Sequence, residues 1–224
     1  MKFSLLVSSL CITTVVLAGC ASTVTPPEEY SGFLKDYSRL KEDKTPSGAT
    51  VMRWIDPKIK ASNYTSIYVE PSQLYPAPKP TAQIPLSTLQ GITHYYDQAL
   101  QRELGKSLPL ASGPGPGVLV VRPAITAVSS KNEGFQPYEV LPIALVASAV
   151  NTAAGGRDQT TTIATEVAVL DGGTNQVVAQ VVRKGTGENL ENSKTVMTAA
   201  DAKAVLDGWA DDIHKSFDKV KSGG

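Results

Sequence analysis

The stretch Gln159–Leu170, QTTTIATEVAVL, constrains the fold more than any other part of the 224-residue chain. Thr161, Ile163, Thr165, Val167 and Val169 alternate with Thr162, Ala164, Glu166 and Ala168. Successive side chains of a strand point to opposite faces, so a period of two with β-branched residues specifies a β-strand. Asp171-Gly172-Gly173-Thr174-Asn175 follows, a run tolerant of positive φ, and Val177–Lys184 returns as the partner strand. The chain therefore folds around a sheet that contains this hairpin.

Other segments add to it. Val51–Ile55 reads as a short strand before the Asp56-Pro57 stop, and Tyr64–Glu70, YTSIYVE, as a strand ended by Pro71. Pro71, Pro76, Pro78, Pro80 and Pro85 then mark a stiff extended connector, favoured over a proline-recognition ligand. Leu86–Gly105 is a helix whose apolar face is Leu86, Leu89, Thr93, Tyr96, Leu100 and Leu104, with Ser87-Thr88-Leu89-Gln90 in capping-box form. Gly113-Pro114-Gly115-Pro116-Gly117 forces a loop before a strand over Val118–Val128, where Pro123 predicts an edge position or a bulge. Thr198-Ala199-Ala200-Asp201 starts a last helix with Ala202, Val205, Leu206, Trp209, Ile213, Phe217 and Val220 on one face. Asp211 and Lys215 fall at a favourable (i, i+4) spacing on it. Phe33, Tyr37 and Leu40 recur at helical spacing and predict a short helix packed on the domain.

Strand, helix, strand, insert, hairpin, helix is an α+β order. The first crossover predicts a right-handed βαβ unit with parallel strands, and the hairpin extends the same sheet. The expected architecture is a mixed, roughly four-stranded sheet with two amphipathic helices over one face, as a single domain over residues 50–224. The insert holds Val140–Val150, eleven residues with one polar side chain, too short to cross a bilayer. Two readings stay open. One is a helix buried on the sheet's second face; the other is an apolar patch, Val140, Leu141, Ile143, Leu145, Val146 and Val150, that docks on a partner or on lipid.

The first nineteen residues have the form of a secretory signal, with Lys2 before an apolar run from Phe3 to about Val16. As a helix that run is roughly 21 Å long, short of the ~30 Å hydrocarbon core. Leu17-Ala18-Gly19-Cys20 resembles the lipobox of bacterial lipoproteins. The resemblance implies cleavage before Cys20, a diacylglyceryl thioether on its sulfur and acylation of its amine. Two or three acyl chains, each contributing ~0.8 kcal/mol per buried CH₂, hold a protein stably on a bilayer. Ala21 and Ser22 follow, without the aspartate that resembles an inner-membrane retention signal, so the outer membrane is expected, with the domain facing the periplasm. Residues 20–49 are then the lipidated cysteine, a flexible spacer over 21–29 and the short helix. SGFLKDYSRL, together with TSIYVEP, resembles a family of uncharacterised bacterial lipoproteins, domain of unknown function 3313, across almost the whole mature chain. That resemblance implies an envelope lipoprotein and carries no established activity.

Chemistry is sparsely signalled. Cys11 leaves with the signal and Cys20 is blocked, so no disulfide, thiol nucleophile or thiolate metal site is expected. Loss of Lys2 leaves 20 basic against 21 acidic residues, without the basic stripe of a nucleic-acid binder. His94 and His214 each sit on a helix with no second histidine or cysteine at ligand spacing, and both read as helix-surface residues. No G-x-S-x-G turn supports a serine triad. The alternating prolines of Gly113–Gly117 remove the N–H donors a phosphate cradle needs, and Gly155-Gly156-Arg157 precedes a strand rather than a helix. Glu133, Glu139, Glu166 and Glu188 are carboxylates of no particular spacing. No cofactor or metal is implied. The leading expectation is a non-catalytic interaction domain on the outer membrane with an envelope protein partner. The rival is a ligand-binding or hydrolytic domain acting on peptidoglycan or lipid, its pocket walled by the insert and the tyrosines of 64–75.

Overall fold

The computed structural model describes residues 24–132 and 159–223. Seven strands form one mixed sheet: β1 (Lys41–Lys44), β2 (Thr50–Ile55), β3 (Ser66–Val69), β4 (Gln73–Leu74), β5 (Val118–Asn132), β6 (Gln159–Asp171) and β7 (Val177–Thr186). Their order is β1-β2-β7-β6-β5-β3, with β4 beside β5. Helices α1 (Leu86–Leu104) and α2 (Lys203–Lys221) complete the α+β domain. The sheet is wider than the expected four strands because the short Val51–Ile55 strand joins it as β2 beside β7, and because of two strands the sequence does not signal. β1 is KEDK, exposed throughout and free of any apolar signal, and β4 is two residues inside the proline-rich connector.

The hairpin forms as the alternation requires, with Thr165 opposite Arg183 and Val167 opposite Val181. In its turn the Asp171 carboxylate accepts hydrogen bonds from the N–H groups of Gly173 (3.0 Å) and Thr174 (2.8 Å), and Asn175 takes φ 59°. β3, α1 and β5 make the expected parallel unit, in register from Ser66↔Val118 to Val69↔Val121. Pro123 does not mark an edge: β5 is flanked by β6 on one side and by β3 and β4 on the other. It is tolerated because the neighbouring chain breaks beside it, β3 ending opposite Val121 and β4 resuming opposite Ala124. The bulge lies further on, between Ile125 and Ala127.

Both helices cover one face. Ile92, Tyr96, Leu100 and Leu104 of α1 and Leu206, Trp209 and Phe217 of α2 pack on Ile67, Val121, Ile125, Ile163 and Val167. The stripe on α1 runs through Ile92 and Ala99 rather than through Leu86, which is 44% exposed, because Pro85 caps the helix and starts it at Leu86. The Ser87 capping box therefore does not form. Thr198 and Asp201 do form one, ahead of α2 across a 3-10 turn at Ala199–Ala202. The Asp211–Lys215 pair closes at 2.8 Å.

The second face corrects another expectation. Residues 30–40 are not helical, since Gly32 (φ 90°) and Lys35 (φ 61°) interrupt any helical run. They form an irregular strap instead. Leu34 and Leu40 bury against Val118, Val120, Ala168, Leu170 and Val182, with Tyr30, Phe33 and Tyr37 beside them. Tyr37 Oη donates to Glu166 Oε2 (2.7 Å) and the Ser31 N–H donates to Glu166 Oε1 (2.8 Å), which satisfies a carboxylate that is 1% exposed. Burial, followed by the hydrogen bond to Glu166 and then its charge, pushes the Tyr37 phenol up to about 12. The chain is already docked before the strap: Thr25 is buried, Pro27–Glu29 is a 3-10 turn, and Glu29 pairs with Lys184 at 3.2 Å. The free spacer expected over 21–29 is thus shortened from its C-terminal end. Cys20 and the expected insert helix lie outside the described residues.

Candidate functional site

α2 seats closely on the sheet at Gly185. At Gly185 on β7 a Cβ would lie 2.6 Å from Val205 Cγ2 and 3.1 Å from the Trp209 ring, so the missing side chain lets α2 seat there. Towards its C-terminus, α2 leaves a narrow apolar slot of about 90 Å³ over β2, β7 and β6. Val121, Val167, Ala179, Val181, Ile213 and Phe217 are among its walls, and Ile55 and Val220 line both the slot and the wider space beside it.

One wall is ionic. Arg183 and Asp212, with side chains 6% and 3% exposed, pair at 3.0 Å across the sheet–helix interface. Asp212 also accepts from the Ser47 N–H (3.0 Å) and the Ser47 hydroxyl (3.0 Å). Burial pulls the Arg183 guanidinium below its ordinary value, and the Asp212 charge opposes that shift. Its plane lies 5.2 Å from the Trp209 ring centroid, while its Nε is buried without a hydrogen-bond partner. Tyr96, edge-on to Trp209, is fully buried, and burial pushes its phenol up to about 12.

The slot opens into a mouth of about 460 Å³ lined by Lys44, Thr45, Arg53, Lys215, Ser216 and Lys219, together with Ile55 and Val220. Arg53 donates to Ser216 Oγ (3.1 Å) and to Asp43 (Nε–Oδ2 3.1 Å), which holds the Asp43 carboxyl below its usual range. Asp211 holds the Lys215 ammonium above its usual value. Lys44 and Lys219 make no ion pair among the described residues. The mouth is therefore cationic and the interior apolar, a combination that matches a ligand with an anionic head and an aliphatic body.

The structure separates most of the residues singled out from sequence. Val140, Leu141, Ile143, Leu145, Val146 and Val150, as well as Glu133, Glu139 and Gly155–Arg157, lie outside the described residues. Glu166 holds the strap and Glu188 is exposed in the loop after β7, its backbone bonded to Thr161 and Asp201, so they do not converge. Tyr64 joins the helix-side core, Tyr68 packs on the strap side and Tyr75 meets Phe33, so these tyrosines do not wall one pocket. His94 is a surface residue beside Gln98 (3.1 Å). His214 is not bare surface: Nδ1 lies 2.8 Å from Ser107 Oγ, which in turn donates to Asp218 Oδ1 (2.6 Å). A serine triad needs the serine proton held by the imidazole and the acid on the opposite nitrogen. Here Asp218 Oδ2 does lie 3.6 Å from the opposite nitrogen, Nε2, but Oδ1 of the same carboxylate takes the serine proton, and the cluster ties α2 to the loop after α1. Among the described residues no group of three or more His, Cys, Asp or Glu side chains is placed to hold a metal ion, and no helix is long and apolar enough to cross a membrane.

Arg53, Arg183, Asp212 and Lys219 were missed in the sequence, yet a signal exists. Arg183 shares parity with Ala179 and Val181 on the covered face of β7, and Asp212 sits between Trp209 and Ser216 on the buried face of α2. Opposite charges on two facing apolar stripes predict a buried pair.

Of the comparisons with known proteins, those by sequence show the family. Solved structures similar in outline are a PelC dodecamer from Paraburkholderia phytofirmans (TM-score 0.37, 10% identity, 74% of this chain and 96% of that one) and a putative neuraminyllactose-binding hemagglutinin homolog from Helicobacter pylori (TM-score 0.36, 10% identity, 82% and 92%). The "Uncharacterized lipoprotein YdcL" of Escherichia coli, in strains K12 and O157:H7, is 40% identical over 206 residues, 92% of each chain. The model of the family described as "Protein of unknown function (DUF3313)" matches residues 29–213, and the chain belongs to that family.

Proposed function

We propose that the protein is an outer-membrane lipoprotein, held by acyl chains on Cys20, that presents a non-catalytic interaction domain to the periplasm. The observation that carries the reading is the 40% identity to a lipoprotein across 92% of both chains, joined to the lipobox form of Leu17–Cys20. The non-catalytic part is supported by the Ser107–His214–Asp218 cluster, whose proton order is wrong for nucleophile activation. The partner surface is the apolar run Val140, Leu141, Ile143, Leu145, Val146 and Val150. Its flanks, Asn132 and Gln159, pair with one another at one end of the sheet, and the docked N-terminal residues run along β6 and β7 towards that end, past Glu166 and Lys184.

Fractionation tests the anchor. The wild-type chain is expected with outer-membrane vesicles and Cys20→Ser in the aqueous phase; a mature chain in the aqueous phase with an unmodified thiol at residue 20 overturns it. Charged residues at Leu145 and Val146 are expected to abolish crosslinking to an envelope protein while the circular dichroism spectrum stays unchanged. A second reading, a binding domain for an envelope lipid, is favoured by one observation, the slot with its cationic mouth.

A further inference from the structure

We propose that the slot beneath α2 binds a single-chain amphiphile with an anionic head, tail inward between Val181 and Phe217 and head at Arg53, Lys215 and Lys219. The proposal deepens the lipid-binding reading and does not depend on acylation of Cys20. Three observations converge on it. The interior is walled by aliphatic and aromatic side chains from β2, β5, β6, β7 and both helices, so it gives a methylene chain what water lacks. It is narrow: about 90 Å³ is less than the ~150 Å³ apolar cavity that takes up benzene, which suits the end of one alkyl chain and not a ring system or a peptide side-chain cluster. The mouth, about 460 Å³, falls in the ~300–1,000 Å³ range of small-molecule pockets and is wide enough for a head group.

The polar groups select the head. Arg53, Lys215, Lys219 and Lys44 line the mouth, and the acids near them are already engaged: Asp43 by Arg53, Asp211 by Lys215, Asp212 by Arg183 and Glu103 by Arg102 and Lys106. A carboxylate or phosphate is attracted there, and a cationic or zwitterionic head loses the advantage. The Thr45 and Ser216 hydroxyls add hydrogen-bonding groups at the rim. Deeper in, Arg183 is 5% exposed and lines the slot, with an Nε–H that no protein atom accepts. With the tail inward that donor meets methylenes rather than an acceptor, so Arg183 reports on filling of the slot while the head is selected at the mouth. Carboxylate and phosphate heads share the chemistry of the mouth, which covers both a free fatty acid and a lysophospholipid.

The test uses residues 20–224 with Cys20→Ser, which keeps every described residue and needs no detergent. Titration calorimetry and the ¹H–¹⁵N signal of Arg183 Nε are followed with octanoate, decanoate and dodecanoate below their micelle concentrations. Affinity is expected to rise about fourfold per methylene until the slot is full, with a shift of the Arg183 Nε resonance. Dodecyl maltoside, with a neutral head, is expected to bind at least tenfold more weakly, and inorganic phosphate alone not to shift the resonance. Lauroyl lysophosphatidylglycerol against dodecanoate identifies the source by which binds more tightly, and either order supports the site. Ala179→Leu, which adds bulk to a wall of the slot, and Lys215→Glu with Lys219→Glu, which reverses the rim, are each expected to reduce dodecanoate affinity at least tenfold with the unfolding midpoint unchanged. Affinity independent of chain length, equal affinity for the neutral detergent, or binding untouched in both variants overturns the proposal, as does no heat and no shift at millimolar dodecanoate.

Discussion

Replacing Asp212 by alanine tests whether the ionic wall of the slot is as dry as its geometry says. The carboxylate accepts three hydrogen bonds, from Arg183 Nη2 and from the N–H and hydroxyl of Ser47, all at 3.0 Å. Its loss leaves a guanidinium with a 6% exposed side chain facing apolar walls, with only the Trp209 ring nearby as compensation. Breaking a buried pair by removing one partner costs about 3–5 kcal/mol, because the remaining charge keeps its desolvation penalty. With a urea slope of roughly 2 kcal/mol/M for a domain of this size, the midpoint should fall by about 1.5–2.5 M. Arg183→Met combined with Asp212→Leu removes both charges and fills the same volume. It should lie within about 2 kcal/mol of wild type, since the Ser47 donors that lose Asp212 belong to an exposed residue whose hydroxyl also meets Thr45 Oγ1 (2.9 Å). Urea unfolding of the two single variants and the double, with coincident fluorescence and circular dichroism, decides the matter. A loss below 1 kcal/mol for Asp212→Ala, or a double variant as unstable as the single, refutes the claim that the pair is desolvated.

Three more outcomes follow from the same packing. Tyr96 titrates near 12 in the folded chain against about 10 when unfolded, so the unfolded chain loses its proton first and stability falls as pH rises from about 10 to about 12, by about 3 kcal/mol. Tyr96→Phe, which removes a buried hydroxyl without a partner, should remove that share of the alkaline slope in urea melts and cost little at pH 7. Gly185→Ala forces its methyl against Val205 and the Trp209 ring and should cost about 1–3 kcal/mol by calorimetry, with Val205→Ala recovering most of it. Tyr37→Phe leaves Glu166 with one donor fewer and frees the N–H groups of Gly32 and Leu34 that bond to the Tyr37 oxygen, so hydrogen exchange over residues 30–40 should accelerate while β6 and α1 stay protected.

The parts of the fold legible in the sequence are those in which one local period decides. The hairpin alternates cleanly, α1 and α2 carry 3.6-residue stripes, and Pro71 and Gly113–Gly117 punctuate the βαβ unit, so each appears near its expected place. What escaped depends on partners distant in the chain. KEDK pairs as β1 because Val51 and its neighbours offer a ladder, not because its own residues favour a strand. The spacing of Phe33, Tyr37 and Leu40 is the same for a helix and for a strap whose apolar groups face one surface, and Gly32 and Lys35 at positive φ decide it. Pro123 reads as a break in its own ladder, whereas the break is in its neighbour. The slot was hidden for a similar reason: its walls come from six elements, and only the assembled sheet shows that α2 seats at Gly185 and stands off beyond it.

That stand-off and the strap have a joint consequence for how the domain meets a membrane. Under the anchor proposal, Cys20 is five residue steps from Thr25, which is 2% exposed, so the anchored sulfur lies at most about 18 Å of chain from a docked residue. Glu29, with a 4% exposed side chain paired to Lys184, and Ser31, bonded to Glu166, continue the attachment along β6 and β7. A chain held this way is not a long leash. The spacer that would let the domain reach across the periplasm is instead used to cover the second face of its own sheet, and detaching it would expose Glu166 and Leu170 to water. The domain is then confined to the bilayer surface, where single-chain anionic amphiphiles are met and where a narrow apolar slot with a cationic mouth has a ligand within reach. Confinement and slot were read from opposite faces of the sheet, one from the strap and the other from α2, so the agreement between them is not built into either observation.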